Sequence, residues 1–302
     1  MYLLAEVFPF LKKVRLPVDR DQAMLLLTAF MLVMLGVDTY LAHSISGTIR
    51  PGEWIPILFG PAAGALLGLA GLVALRKRMA ANIAATVVFL ASVAVGVLGS
   101  YYHLARAVVS AAPAGQQLTA AILLYAPPIL GPLTFALVAV LGLSAAWQEE
   151  EVDSGRLRLF GGLRLKMPLS KTRAYFLLVA LFNLATLISS VIDHARTNFE
   201  NPWLWLPTIA GAFATLVSLF IALAEKPGRG DLAVFVAAML LMMAVGAVGA
   251  VLHVLTNRTG QGAVIIERMI RGAPVLAPLL FANMGLLGLI VLLDPRNPKD
   301  SK

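Results

Sequence analysis

Long apolar runs, with the charges confined to the gaps between them, decide most of what this chain can fold into. Only 13% of its residues are charged and 59% are hydrophobic, whereas a water-soluble domain averages about 25% charged and about 45–50% apolar. A helix needs about 20 apolar residues to cross the hydrocarbon core of a bilayer. The runs are too long and too uniformly apolar for barrel strands, which alternate over about ten residues. The chain therefore reads as an all-α polytopic membrane protein. Eight spans are predicted, at 23–44, 54–75, 80–105, 119–147, 173–194, 204–224, 231–254 and 273–294. Residues 1–22 form a cytoplasmic or interfacial N-terminus, with a short interfacial helix expected over Leu3–Leu11, and 295–302 a cytoplasmic tail.

Lysine and arginine set the orientation. Of the 24 such residues, 18 fall in one set of loops, among them Lys12, Lys13, Arg76, Lys77, Arg78, Arg164 and Lys226. The other set holds only Arg50, Arg106, Arg196, Arg258, Arg268 and Arg271. Both termini are thus expected in the cytoplasm, with the chain in a bacterial-type inner membrane. The net charge of +8 reflects this bias and serves topology and anionic lipid, not nucleic acid. The absence of cysteine excludes disulfides, thiolate catalysis, thiolate-ligated clusters and covalent haem attachment within the chain.

The sequence repeats itself. At an offset of 150, Gly96, Gly99 and His103 match Gly246, Gly249 and His253. At 151, His43, Trp54, Pro56 and Gly60 match His194, Trp205, Pro207 and Gly211. At 146, Pro128, Pro132, Phe135 and Gly142 match Pro274, Pro278, Phe281 and Gly288. The expected architecture is two parallel four-helix-bundle repeats, 23–147 and 173–294, each made of two hairpins. The first helix of every hairpin carries a histidine near its outer end, and the second opens with Pro56, Pro127 or Pro128, Pro207 or Pro274, where a missing N–H costs nothing. The linker, 148–172, follows an acidic "QEEEVD" with "RLRLFGGLRLKM", whose alternation predicts a hairpin with Arg156, Arg158, Arg164 and Lys166 on one face. Such a face suits the lipid surface or a cytoplasmic partner.

His43, His103, His194 and His253 are the only histidines. In an up-down bundle the first and third helices are diagonal partners, so His43 is expected to face His103, and His194 to face His253. Two neutral imidazoles hold a b-type haem, one on each side of the macrocycle. Gly96 and Gly99 lead along one helix face to His103, as Gly246 and Gly249 do to His253, and this stripe of missing side chains is expected to admit a porphyrin edge. Thr39 and Ser190 stand four residues before His43 and His194. Arg106 and Arg196 lie within a turn of a histidine and suit haem propionates. This pattern resembles membrane b-type cytochromes, in which diagonal helices of a four-helix bundle supply histidine pairs. That resemblance implies up to two haems b near the outer face, passing electrons between quinone and an external partner, with other subunits of a membrane complex docked there. The chain would then be an electron-transfer subunit more than an independent enzyme.

Two other readings of the same residues stand beside it. The histidines also suit a bare transition metal, in pairs or as four at a shared axis, in a transporter or metal-delivery protein. Asp38 and Asp193 lie near His43 and His194 but fall out of register with each other in the repeat, so a repeated carboxylate–histidine set is not expected. The third reading is a cofactor-free anchor of a respiratory complex, with glycines for helix packing and structural histidines. Few other ionisable residues lie in the spans, which argues against a proton relay. The outer-loop stretches Thr119–Tyr125 and Gly262–Arg271 are expected to be short interfacial helices, which with Trp54, Trp203 and Trp205 would roof a site there.

Overall fold

A computed structural model describes residues 3–295, apart from 15, 46, 75–77, 110–111, 160–161, 259–261 and 263–264. The predicted tail beyond 295, the charges Arg15, Arg76 and Lys77, Gly161 of the linker turn, and Ala263 and Val264 of the second outer-loop stretch lie outside the described residues. The first short helix, α1, covers Leu4–Val7, and a 3-10 turn follows at Pro9–Lys13. The long helices are α2 (Arg20–Ser44), α3 (Trp54–Ala74) and α4 (Arg78–Ala107). Short α5 (Ala120–Tyr125) precedes α6 (Leu130–Ala146). After the linker come α7 (Lys171–Ala195), α8 (Trp205–Leu223) and α9 (Arg229–Thr256), then short α10 (Ile266–Arg271) and α11 (Leu276–Val291).

Six of these helices, α2, α3, α4, α7, α8 and α9, are long and apolar enough to cross a membrane. Their outer surfaces keep large apolar side chains uncovered, among them Leu66, Leu90, Leu216 and Phe220. In a soluble protein so much exposed apolar surface marks an interaction site; here it is the surface that meets lipid. The helices at 130–146 and 276–291 are apolar but only 17 and 16 residues long. The stretch 119–147, expected as one span, is broken after Tyr125, because Pro127 and Pro128 cannot continue a helix.

Packing follows chain order. α2 lies on α3, α3 on α4, α4 on α6, and α6 returns to α2. In the second half α7 lies on α8, α8 on α9, α9 on α11, and α11 returns to α7. Across the halves α11 touches α2 and α6 touches α7. One apolar core runs through both, with Met24, Phe89, Phe135, Phe235, Met239 and Met284 almost completely enclosed.

The starts of α2 and α7 are built alike and meet. Asp19 caps α2 by accepting the Gln22 N–H, and Ser170 caps α7 by accepting the Arg173 N–H. Arg20 and Lys171 follow, and both are fully buried. The Lys171 ammonium donates to Asp21 Oδ2 at 2.5 Å and to the Trp147 carbonyl at 2.7 Å. The Tyr175 hydroxyl donates to Asp21 Oδ1 at 3.0 Å. Arg20 donates to the Thr172 hydroxyl, and its guanidinium lies 4.9 Å above the Tyr175 ring centre. Asp21 thus binds the first turn of one half to the first turn of the other.

The linker folds as a three-stranded antiparallel sheet, β1 (Gln148–Glu149), β2 (Arg156–Arg158) and β3 (Arg164–Lys166), in the order β1-β2-β3. Arg156 pairs with Lys166, Leu157 with Leu165, and Arg158 with Arg164. Directly opposed residues point to the same side, and alternate residues share it. The four cations therefore occupy one face of the hairpin.

Candidate functional site

All four histidines lie in the last turns of helices that run in the same direction, so they collect at one end of the protein, opposite the linker. His43 and His103 come together from α2 and α4, with ring centres 6.1 Å apart and planes at 67°. His194 and His253, on α7 and α9, lie near enough to interact electrostatically. Among the described residues, no three or more histidine, aspartate or glutamate side chains gather as a metal-ligand cluster. The histidines stand as pairs.

The position of His103 follows from its neighbours on two helices. Pro128 lies just ahead of Ile129, the N-cap of α6, so its carbonyl takes no bond within the helix, and Pro132, without an N–H, cannot claim it. The open Pro128 carbonyl accepts from Nδ1 of His103 at 2.9 Å. Pro278 stands in the same relation to Pro274, whose carbonyl accepts from Nδ1 of His253 at 2.8 Å. The glycines bring the helices close enough for this contact. A methyl group added at Gly96 would lie 2.6 Å from the Ala136 nitrogen, and one at Gly99 would lie 2.6 Å from Pro132 Cβ. In the second half, a methyl at Gly246 would overlap the Ala282 nitrogen, and one at Gly249 would lie 2.9 Å from Pro278 Cβ. Ser100 adds a bond to the Ile129 carbonyl at 3.3 Å. The glycine stripe expected to admit a porphyrin edge is occupied by α6 and α11, through backbone at Gly96 and Gly246 and through the rings of Pro132 and Pro278 at Gly99 and Gly249, the close helix approach that glycine allows.

A carbonyl can only accept, so Nδ1 of each ring bonded to one carries the hydrogen. In the neutral ring Nε2 then holds the lone pair that binds a metal. His43 belongs to this group, since its Nδ1 donates to the Thr39 carbonyl at 2.9 Å. His194 instead meets the Ser190 hydroxyl at 3.4 Å and packs edge-on against Phe199, which stacks on Trp205. Thr39 and Ser190, four residues before their histidines, are thus the orienting contacts.

The two arginines are engaged within the protein. Arg106 donates to Glu53 Oε1 at 3.1 Å. Arg196 lies 3.7 Å from Asp193 Oδ1 and donates to the Leu124 carbonyl at 2.9 Å. Glu53 is held in the 3-10 turn Pro51–Glu53, where its other oxygen accepts the Arg50 N–H at 2.9 Å, and it interacts electrostatically with both His43 and His103. Asp193 interacts in the same way with His194 and His253, and with Asp38 across the two halves. Each pair therefore has one carboxylate and one arginine beside it, supplied from unrelated sequence positions. Glu53 has no counterpart in the repeat, since the residue 151 positions on is Leu204. Its available signal is local, in "RPGEW", an acid in a proline-started turn immediately before a span.

Near the same end lie α5 and α10, where short interfacial helices were expected, and the largely exposed Trp54, Trp203 and Trp205. No known family, curated protein or solved structure matches this chain.

Proposed function

We propose that this is an integral membrane metal-handling protein in which each histidine pair, His43/His103 and His194/His253, ligates one transition-metal ion through Nε2. The observation that carries this reading is the matched pair of bonds from His103 and His253 to open carbonyls just ahead of α6 and α11. A ring held by Nδ1 with Nε2 left basic is the usual state of a metal-binding imidazole. The 6.1 Å between the His43 and His103 ring centres agrees with the roughly 6 Å expected when two imidazoles flank one metal with bonds of about 2 Å. Imidazole suits copper, zinc, iron and nickel. Closed structural sites have four protein ligands; two leave positions open for exchange, which fits uptake or delivery of an ion.

The same spacing also suits axial ligands of haem iron, the form that would serve quinone-linked electron transfer with partner subunits. The filled glycine stripe and the internally paired Arg106 and Arg196 do not fit a macrocycle and its propionates, and this favours the bare ion. On this reading the architecture is a doubled four-helix unit of eight spans. Its support is the packing order shared by the halves and their matched caps. The lysine and arginine bias would place the linker end in the cytoplasm and the histidine end outside.

Metal analysis of the purified intact protein tests the proposal. Up to two equivalents of a transition metal are expected, with one lost in His103→Ala and both in His103→Ala/His253→Ala. Stoichiometry unaffected by either change sinks the idea, while a Soret band accompanying the iron would move the assignment to haem. A finer test is Pro132→Ala, which supplies an N–H to compete for the Pro128 carbonyl. Losing such an orienting partner typically weakens metal binding about 10–100-fold, and titration of the variant should show this at one site only.

A further inference from the structure

The linker hairpin has two unlike faces, and both point to a lipid surface. Its cation face carries Arg156, Arg158, Arg164 and Lys166, all exposed. Arg164 pairs with Glu150 at 3.0 Å; among the described residues, the other three have no carboxylate partner. The opposite face carries Leu157, Leu163 and Leu165, because Leu157 opposes Leu165 and the pairing continues from the Leu159 N–H to the Leu163 carbonyl at 2.9 Å. Leu157 is enclosed at 2% exposure, while Leu163 and Leu165 are 59% and 44% exposed. Glu149 opposes Leu157 and accepts the N–H of Lys171, the first residue of α7. The leucine face is thus turned toward the helix ends, which is the side on which the membrane lies. The sheet is also tethered at that level, since β1 starts two residues after α6 and α7 starts five residues after β3.

We infer that this hairpin is a lipid-surface anchor: Leu163 and Leu165 overhang the bundle and enter the boundary between headgroups and acyl chains, while Arg156, Arg158 and Lys166 hold anionic phosphate headgroups. An apolar face against lipid with basic residues behind it is the arrangement of interfacial segments. Long cationic side chains reach back to the headgroup layer from the far side of such a segment. The short tethers to α6 and α7 keep the four basic residues near the helix ends, where the surface potential acts. This assignment is independent of any metal at the histidine end.

The cysteine-free chain gives a direct test. Leu163→Cys is labelled with an environment-sensitive fluorophore in the full-length protein, reconstituted in nanodiscs of phosphatidylcholine alone or with one third phosphatidylglycerol. The label should be shielded from an aqueous quencher in the anionic discs and less shielded in the neutral ones. Arg156→Gln/Arg158→Gln/Lys166→Gln should abolish the difference. Each surface charge is worth about fivefold in partitioning, so three together weaken it on the order of 100-fold. Equal quencher access in both discs, or shielding indifferent to the triple substitution, overturns the assignment. Shielding that appears only on adding an acidic soluble protein overturns it in favour of a protein partner. If the triple variant folds poorly, raising the salt concentration around the unsubstituted hairpin reads the same dependence on charge.

Discussion

Asp21→Asn is expected to be among the most destabilising single substitutions in the chain, at about 3–5 kcal/mol, the usual result of removing one partner from a buried ion pair. Two enclosed cations, Arg20 and Lys171, share this carboxylate, whose own side chain is 16% exposed. The nearby Glu149 cannot replace it, because its oxygens are engaged by the N–H groups of Asp153, Gly155 and Lys171. Asparagine keeps the shape and removes the charge, leaving both cations in low dielectric with only carbonyl, hydroxyl and ring partners. The measurement is thermal or denaturant unfolding in a fixed detergent. Lys171→Met, made on top of Asp21→Asn, should recover part of the loss, since deleting both members of a buried pair costs less than deleting one. Strictly additive losses, or a change under about 1 kcal/mol for Asp21→Asn, would show that the network contributes little.

Gly246→Ala is the second. The added methyl has nowhere to go, because it meets backbone atoms of Ala282 and lies 2.8 Å from the Pro278 carbonyl oxygen. Backbone cannot turn aside as a flexible side chain can, so α9 must move off α11. Overpacking of this kind typically costs about 1–3 kcal/mol. Separating the two helices also draws His253 away from the Pro274 carbonyl. The expected result is a double one: lower stability and, on the metal reading proposed above, loss of metal at the His194/His253 pair with the first pair unaffected. Gly96→Ala should give the mirror outcome. A variant with unchanged stability that loses a cofactor would instead return the glycine stripe to the porphyrin edge first expected for it.

Those glycines show how far the residues speak for themselves. Their spacing ahead of His103 and His253 announces a smooth helix face, but a smooth face admits a cofactor or a neighbouring helix equally well. What fills it is a tertiary fact. The complementary signal was in the sequence, as prolines four apart at 128 and 132 and again at 274 and 278. Read by its chemistry, a proline four residues on cannot donate to the carbonyl ahead of the helix, which stays open to the histidine. The membrane class was legible from apolar runs because lipid leaves a backbone few choices. The extent of the fourth and eighth predicted spans was not, because hydropathy averages over residues such as Ala126–Ile129, where proline ends the helix while the sequence stays apolar. The buried Arg20–Asp21–Lys171 network was hidden among charges that look like ordinary flanking residues at span ends. Nothing local separates a cation that faces water from one that meets its counterpart in the other half.

The two short apolar helices have a consequence for the bilayer itself. At 17 and 16 residues and about 1.5 Å per residue, α6 and α11 are roughly 24–26 Å long, against about 30 Å of hydrocarbon. On the proposed eight-span reading, lipid beside them would thin to meet their ends, whereas lipid beside α4 or α9, at 30 and 28 residues, would not. On that reading the hydrophobic mismatch is concentrated beside α6 and α11. Such asymmetry biases a protein toward thinner membranes and toward neighbours that cover its short sides.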